Sequence, residues 1–433
     1  MLLVIYITML RKVLNLFGRG AFMGKLVVVG RIVDGTGREP FNGFVVIEDK
    51  KIVQVSKEEE LKTLSVENAE TIKIENGTIL PGLIDCHVHL TGSRTLDFLK
   101  ASLEPVAAKA ARLVGDLAQL IDAGFTTVRD VGGLGIYLKK VIEEGEIKGP
   151  RILAAGKLLS QTGGHGDFHS LPLEWAKEGD FTRLCDGVSE CIKAVREQFR
   201  EDADFIKICT TGGVLSQRDL PTSSQFNLDE IKAMVEEAKS VGSYVAAHAE
   251  GTQGIKNALI AGVRTIEHGD LIDDEGIEMM AEKGVFLIPT LSIKEQISSK
   301  GEKYGIPEWG IKKLKMLQEL HGDYIKKAKA RGVKIAVGTD FSSKPLFPLG
   351  ENSMELELLV KQEGFTPLEA IVAATKISAE AIMMDDKIGT IEPNKLADII
   401  VVEGDPVKDI TILRKAENIK LVIKDGKIEK NIL

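Results

Sequence analysis

The sequence predicts an α/β protein, a (β/α)8 barrel carrying a small β-sandwich domain built from both chain ends. Three observations carry this. Eight short, apolar, strand-like runs alternate with stretches of helical periodicity through the middle of the chain. β-branched runs broken by Gly, Asp and Asn occur at both ends. The length of 433 residues exceeds one ordinary core and suits a barrel of roughly 250 residues or more with a smaller companion.

Residues 1–22 stand apart as an N-terminal extension. Met1 to Leu10 is almost wholly apolar and is followed by Arg11, Lys12 and Arg19. A signal peptide carries its positive charge first, and this run is too short to span a bilayer. Because Met23-Gly24-Lys25 opens directly into strand-like residues 26–29, two readings of the extension stay open, an artefact of start-codon choice and an amphipathic anchor. Residues 23–79 then read as a β-rich unit with runs at 26–29, 44–48, 52–55 and 71–74. The pattern returns at 398–402 and 420–423, before the turn Lys424-Asp425-Gly426-Lys427, so 390–433 is expected to pair with 23–79 in one composite domain.

The barrel is expected over residues 80–389. Its strands are the run ending at Asp85 and residues 126–130, 151–155, 205–209, 244–247, 265–267, 286–289 and 334–337, with helical periodicity over 228–241, 273–283 and 311–331. A doubly wound open sheet is the competing architecture. Hydrophobic content of 44% and charged content of 28% describe a globular protein, and a net charge of −8 argues against nucleic-acid binding. No segment after the extension is long and apolar enough to cross a membrane. Cys86, Cys185, Cys191 and Cys209 show no C-x-x-C or disulfide-framework spacing, which favours reduced thiols and a cytoplasmic setting.

Asp85-Cys86-His87-Val88-His89 ends the first barrel run. Side chains alternate along a strand, so His87 and His89 point the same way and can close on one metal ion. The chain has only seven histidines. Four of them, His87, His89, His248 and His268, fall at or just beyond the C-terminal ends of predicted strands, which converge on the face of a barrel that carries chemistry. Asp340 ends the last strand and is either a metal ligand and proton acceptor or the cap of the next helix. Lys207 lies among apolar residues in Phe205-Ile206-Lys207-Ile208. It serves either as a cation facing Asp340 or a substrate carboxylate, or as a neutral amine that adds carbon dioxide to become a carbamate bridging two metals. His169 reads as a supporting or exposed residue and His321 as a helix-surface one.

These positions together resemble the amidohydrolase superfamily. The matching elements are residues 80–89, Lys207, His248, His268, Gly338-Thr339-Asp340 and the tail segment 389–399, in the family's order from Met23 onward. The resemblance implies a binuclear centre of two divalent ions, for which His-rich ligation favours zinc but also admits Mn, Co or Fe. It places His87, His89 and Asp340 on one ion and His248 and His268 on the other, bridged by Lys207 as N6-carboxylysine. Asp340 would also take the proton of the attacking water and pass it to the leaving amine.

Two loops, residues 160–167 and 210–216, are similar to the prolidase-like dipeptidases. By that likeness His165 donates to the scissile carbonyl oxygen, and Gly212 and Gly213 bring backbone close to substrate. The implied function is hydrolysis of a dipeptide with C-terminal Pro or Arg/Lys by a homo-oligomer acting on small molecules. An imidazolonepropionase-like cyclic amide hydrolase or a deaminase is the alternative. Such enzymes use one metal, and deaminases commonly place Glu three residues after the fifth-strand His, where this chain has Gly251. A non-catalytic metal-binding barrel is the third reading, disfavoured because every ligand of the set is present. Arg218, Asp219, Gln225, Tyr304 and Trp309 lie in loops that could reach a substrate.

Overall fold

A computed structural model describes residues 25–63 and 69–433. The extension expected at 1–22 lies outside the described residues. The two ends of the chain share one seven-stranded sheet. Its strands are β1 (Lys25–Ile32), β2 (Phe41–Glu48), β3 (Lys51–Lys57), β4 (Ala69–Pro81) and, much later, β14 (Ile399–Glu403), β15 (Ile419–Lys424) and β16 (Lys427–Asn431), in the order β16-β15-β14-β4-β1-β2-β3. Leu26, Val45, Ile52, Val401 and Leu421 from both halves belong to one buried apolar cluster. β4 is the seam between the halves. Leu80 and Pro81 pair with Ile400 and Ile399, and a single glycine later the chain enters the barrel.

The barrel strands are β5 (Leu83–Val88), β6 (Phe125–Asp130), β7 (Arg151–Ala154), β10 (Ile206–Cys209), β11 (Val245–Ala249), β12 (Thr265–His268) and β13 (Phe286–Ile288). Every residue of β5, β6, β10, β11, β12 and β13 is buried, as parallel strands covered on both faces demand. β5-β6-β7 pair in parallel, and so do β10-β11-β12-β13. The two groups meet where the Asp204 N–H donates to the Ala154 carbonyl (2.8 Å), just ahead of β10. On the other side, residues 334–341 fill the eighth position with sparse hydrogen bonds instead of a regular ladder. Ala336 N donates to Leu287 on β13, while Cys86 N reaches Val337 O and Asp340 N reaches His87 O on β5. Gly338 makes this approach possible, because a Cβ there would lie 2.3 Å from the Ile288 side chain and 2.7 Å from Cβ of His87.

Two features depart from the expected element list. The helical run expected over 311–331 is two helices, Glu308–Leu320 and Tyr324–Ala330, separated at Gly322, whose φ of 54° leaves the right-handed helical region. His321 closes the first of them, with its N–H on Leu317 O. Two short strands, β8 (Leu158–Ser160) and β9 (Thr182–Leu184), follow β7 and pair with each other, and β8 also touches β10. They brace the loop that carries His165. No helix among the described residues is long and apolar enough to cross a membrane.

Candidate active site

The site is assembled at the C-terminal strand ends, and its alignment begins with Asp85. One Asp85 oxygen accepts from His87 N (3.0 Å) and Thr339 N (3.2 Å), the other from Thr339 Oγ1 and Asn352 Nδ2, both at 2.7 Å. This buried carboxylate laces the end of β5 to residues 339–340. As a result His87 and Asp340 face each other.

His87 is oriented from behind. Its Nδ1 lies 2.7 Å from Glu267 Oε2, while the other Glu267 oxygen accepts from Arg129 Nη2 at 2.7 Å. Arg129 and Glu267 are both fully buried, and the guanidinium also reaches Thr265 Oγ1 and the Cys86 carbonyl. Burial pushes the Glu267 carboxyl up, but Arg129 and Lys207 outweigh it and hold it well below the usual carboxylate range. An ionised acceptor at Nδ1 fixes the proton there and leaves His87 Nε2 bare. We expect Glu267→Ala to lower the unfolding free energy by about 3–5 kcal/mol, because a buried guanidinium would lose its counter-charge. Chemical denaturation of the two proteins measures this, and an unchanged midpoint would contradict it.

His89 is fixed in the same sense, since its Nδ1 faces the Gly132 carbonyl (2.8 Å), which can only accept. The two bare Nε2 atoms then approach one Asp340 oxygen at 3.4 and 3.3 Å. Ligand atoms of His87, His89 and Asp340 all lie within 4.8 Å of one another. Three acceptors crowded this closely repel unless a cation or protons lie between them, so the donor set fits a metal ion. Protons on the two Nε2 atoms, in place of a metal ion, would hold the Asp340 carboxyl well below its usual range against the opposing effect of burial.

His248 and His268 adjoin this group. His268 lies 5.2 Å from His87 and 4.7 Å from His248 between ring centroids. Its Nδ1 bonds Thr290 Oγ1 (2.7 Å), while His248 Nε2 donates to the Gly212 carbonyl (3.0 Å), leaving Nδ1 bare. Burial pulls both rings well below their usual pKa, so they are neutral, as metal ligands must be. His268, Thr290 and Asp340 all have positive φ, 70°, 49° and 60°. Such backbone costs roughly 1–3 kcal/mol per residue and persists only where neighbours hold it. Tyr324 donates to the His268 carbonyl (2.9 Å), and Glu355 accepts from Leu291 N, Ser292 N and Ser292 Oγ just beyond Thr290.

Lys207 lies on β10 beside β11, with its Nζ buried and without a hydrogen-bond partner. Burial lowers its pKa against the attraction of Glu267 and Asp340. Among the described residues, His248 and His268 have no third His, Cys, Asp or Glu to complete a cluster of the kind formed at His87.

A cavity of about 1150 Å³ opens over this centre, with His89, His165 and Asp340 in its lining. His165 stacks on His248, with centroids 4.1 Å apart. Its Nδ1 lies 2.8 Å from Ser216 Oγ, and the Ser216 hydroxyl donates to Asp219, which also takes Lys313 Nζ (3.2 Å) and Gln225 Nε2 (2.9 Å). His165 therefore carries its proton on Nδ1, and burial pulls its pKa down to about 4. The neutral ring offers a bare Nε2, so donation to a carbonyl oxygen requires the protonated ring.

Gly212 and Gly213 are not in the cavity lining. They pack against protein instead: a Cβ on Gly213 would lie 2.3 Å from the His165 ring, and one on Gly212 would meet Asp219 at 2.7 Å. Their smallness seats His165 and its partners. His169 accepts from Arg218 N through Nδ1, Asp219 and Gln225 stand behind His165, and Tyr304 and Trp309 line the cavity. Arg129, Glu267, Thr290 and Ser216 were missed by sequence reasoning. A charged residue inside an apolar strand run was the available signal for Arg129 and Glu267, since buried charge requires a partner.

The amidohydrolase family model matches residues 78–428. Ochratoxinase of Aspergillus niger is 33% identical over 422 residues, covering 94% of this chain and 86% of the relative. A prolidase crystallised with N-methylphosphonate-L-proline is 32% identical at a TM-score of 0.86, covering 94% of this chain and all of that one (100%). A Xaa-Pro dipeptidase crystallised with methionine in its active site is 34% identical at a TM-score of 0.83, covering 93% and 99% of the two chains. The chain belongs to the amidohydrolase superfamily, in its prolidase-like branch, and is a hydrolase acting on carbon–nitrogen bonds.

Proposed function

We propose that this protein hydrolyses the peptide bond of dipeptides ending in proline, using two divalent metal ions. The carrying observation is the convergence of the bare nitrogens of His87 and His89 on Asp340, with His248 and His268 alongside. His87, His89 and Asp340 would hold the first ion, and His248 and His268 the second. The second pair needs one more anionic ligand. Lys207 supplies it if its neutral amine adds to carbon dioxide, forming an N–C bond and releasing a proton to give a carbamate. The unpartnered burial of Nζ supports this, because a carbamate would give that position acceptors and a charge that adjacent cations stabilise.

When bound, divalent ions supply a water of lowered pKa and polarise the scissile carbonyl. The chain's own residues do the rest. Asp340, ionised and on the cavity wall, orients water, accepts its proton and returns that proton to the departing nitrogen, because an amide anion is a very poor leaving group. His165 reaches the cavity with Nε2. It would donate to the carbonyl oxygen only as the protonated ring, an imidazolium that Asp219 behind Ser216 would stabilise against the opposing effect of burial.

A proline leaving group fits the lining better than arginine or lysine. Asp180 is paired with Lys109, Glu104 with Arg112 and Asp97 with Lys100, Asp167 accepts from the Gly163 N–H, and Asp340 faces the histidines, so among the described residues the exposed Glu178 is the lining acid left without such a partner. A basic side chain would gain little from an exposed carboxylate such as Glu178. Assay of the metal-loaded protein on a dipeptide panel tests this. Xaa-Pro substrates should be cleaved in preference to Xaa-Arg and Xaa-Lys, and inactivity on every dipeptide would sink the reading.

A further inference from the structure

The helix Leu291–Lys300 starts directly after Thr290, and the way it is capped bears on His268. The first N–H groups of a helix have no partner within it, and a Thr just ahead of them ordinarily supplies a side-chain oxygen from extended backbone. Thr290 occupies that place but makes no capping bond, and its φ and ψ are both 49°. Its Oγ1 lies instead 2.7 Å from His268 Nδ1.

The cap comes from another helix. Glu355, in the first turn of Met354–Glu363, accepts from Leu291 N (2.8 Å) through one oxygen and from Ser292 N (2.7 Å) and Ser292 Oγ (2.6 Å) through the other. It is fully buried, and burial pushes its carboxyl up to about 7 against those three donors. A Thr290 hydroxyl turned to the helix would cap it without burying a charge. The costlier arrangement leaves that hydroxyl at the His268 ring.

We propose that Glu355 is a positioning residue for His268: by capping the helix in place of Thr290, it frees the Thr290 oxygen to accept from His268 Nδ1–H and so keeps His268 Nε2 bare for the second ion. The ion in this proposal rests on the two-ion reading above, whereas the position of the His268 proton does not. The same turn of chain also reaches the first group of ligands, since Glu355 N bonds Asn352 O (3.2 Å) and Asn352 Nδ2 donates to Asp85 (2.7 Å). A variant that merely displaced this turn would therefore disturb both groups together.

Full-length Glu355→Gln and Thr290→Val proteins test this. The Gln amide keeps the size of the side chain but leaves one accepting oxygen for three donors. In metal-free protein labelled with ¹⁵N-histidine, His268 should carry its proton on Nδ1 in the wild type and lose that preference in both variants. Calorimetric titration with zinc should show the second ion bound about 10–100-fold more weakly in each, the range for losing a group behind a metal ligand, with the first ion unchanged. The double variant should lose no more than Thr290→Val alone, because both substitutions act on one contact. Glu355→Asp, which keeps the charge but draws it back by one methylene, should show the same changes in weaker form and serves if the amide variant does not fold. A His268 tautomer unmoved by Glu355 substitution, additive losses in the double variant, or equal weakening of both ions would each overturn the proposal. If wild-type protein binds a single ion while the tautomer responds as stated, the two-ion reading fails and Glu355 still positions His268.

Discussion

On the two-ion proposal, Lys207→Ala is expected to abolish most activity and to remove the ion assigned to His248 and His268. The loss should exceed the roughly 10–100-fold that follows from disturbing a group behind a metal ligand, because the proposal makes Lys207 a bridging ligand itself. Lys207→Arg separates the two roles open to this residue. A guanidinium retains positive charge but forms no carbamate, so the variant should be as inactive as the alanine one. Retained activity in Lys207→Arg would show that Lys207 acts as a cation. Enrichment with ¹³C-bicarbonate should give a carbamate resonance in the wild-type protein that is missing from both variants. Short carboxylic acids should partly rescue Lys207→Ala by supplying the lost oxygens.

Asp340→Asn is expected to keep the fold and to lower turnover by about 10²–10⁴-fold, the range of a positioned general acid–base group. Fold retention follows from local geometry. Asp340 has a φ of 60°, and asparagine is among the few residues that tolerate that region as aspartate does. The amide matches the carboxylate in shape but cannot take the proton of water. Circular dichroism and thermal unfolding should match the wild type while kcat falls, and near-normal turnover would remove Asp340 as the proton carrier.

Much of this site was legible in the sequence because barrel strands leave a plain signature. His87, His248, His268 and Asp340 each end a buried apolar run, and parallel strand ends converge in space whatever the loops do. The eighth position was visible as an apolar run, although residues 334–341 form only sparse pairings with β13 and β5. Short strands such as β8 and β9 carry too few residues to show a period. The proton positions on the histidines were not legible, because they depend on contacts distant in sequence: Glu267 behind His87, Gly132 behind His89 and Asp219 behind Ser216 and His165. The roles expected of Gly212 and Gly213 changed because a glycine-rich loop signals close approach without saying what approaches. Here it is the His165 ring and Asp219.

The most direct test of the two-ion account is a titration of metal-stripped protein with a divalent ion, reading Xaa-Pro hydrolysis and bound metal together. Activity should climb until two ions are bound per chain and then level off. Full activity with one ion bound would contradict the account and return the site to the one-metal chemistry of a cyclic amide hydrolase.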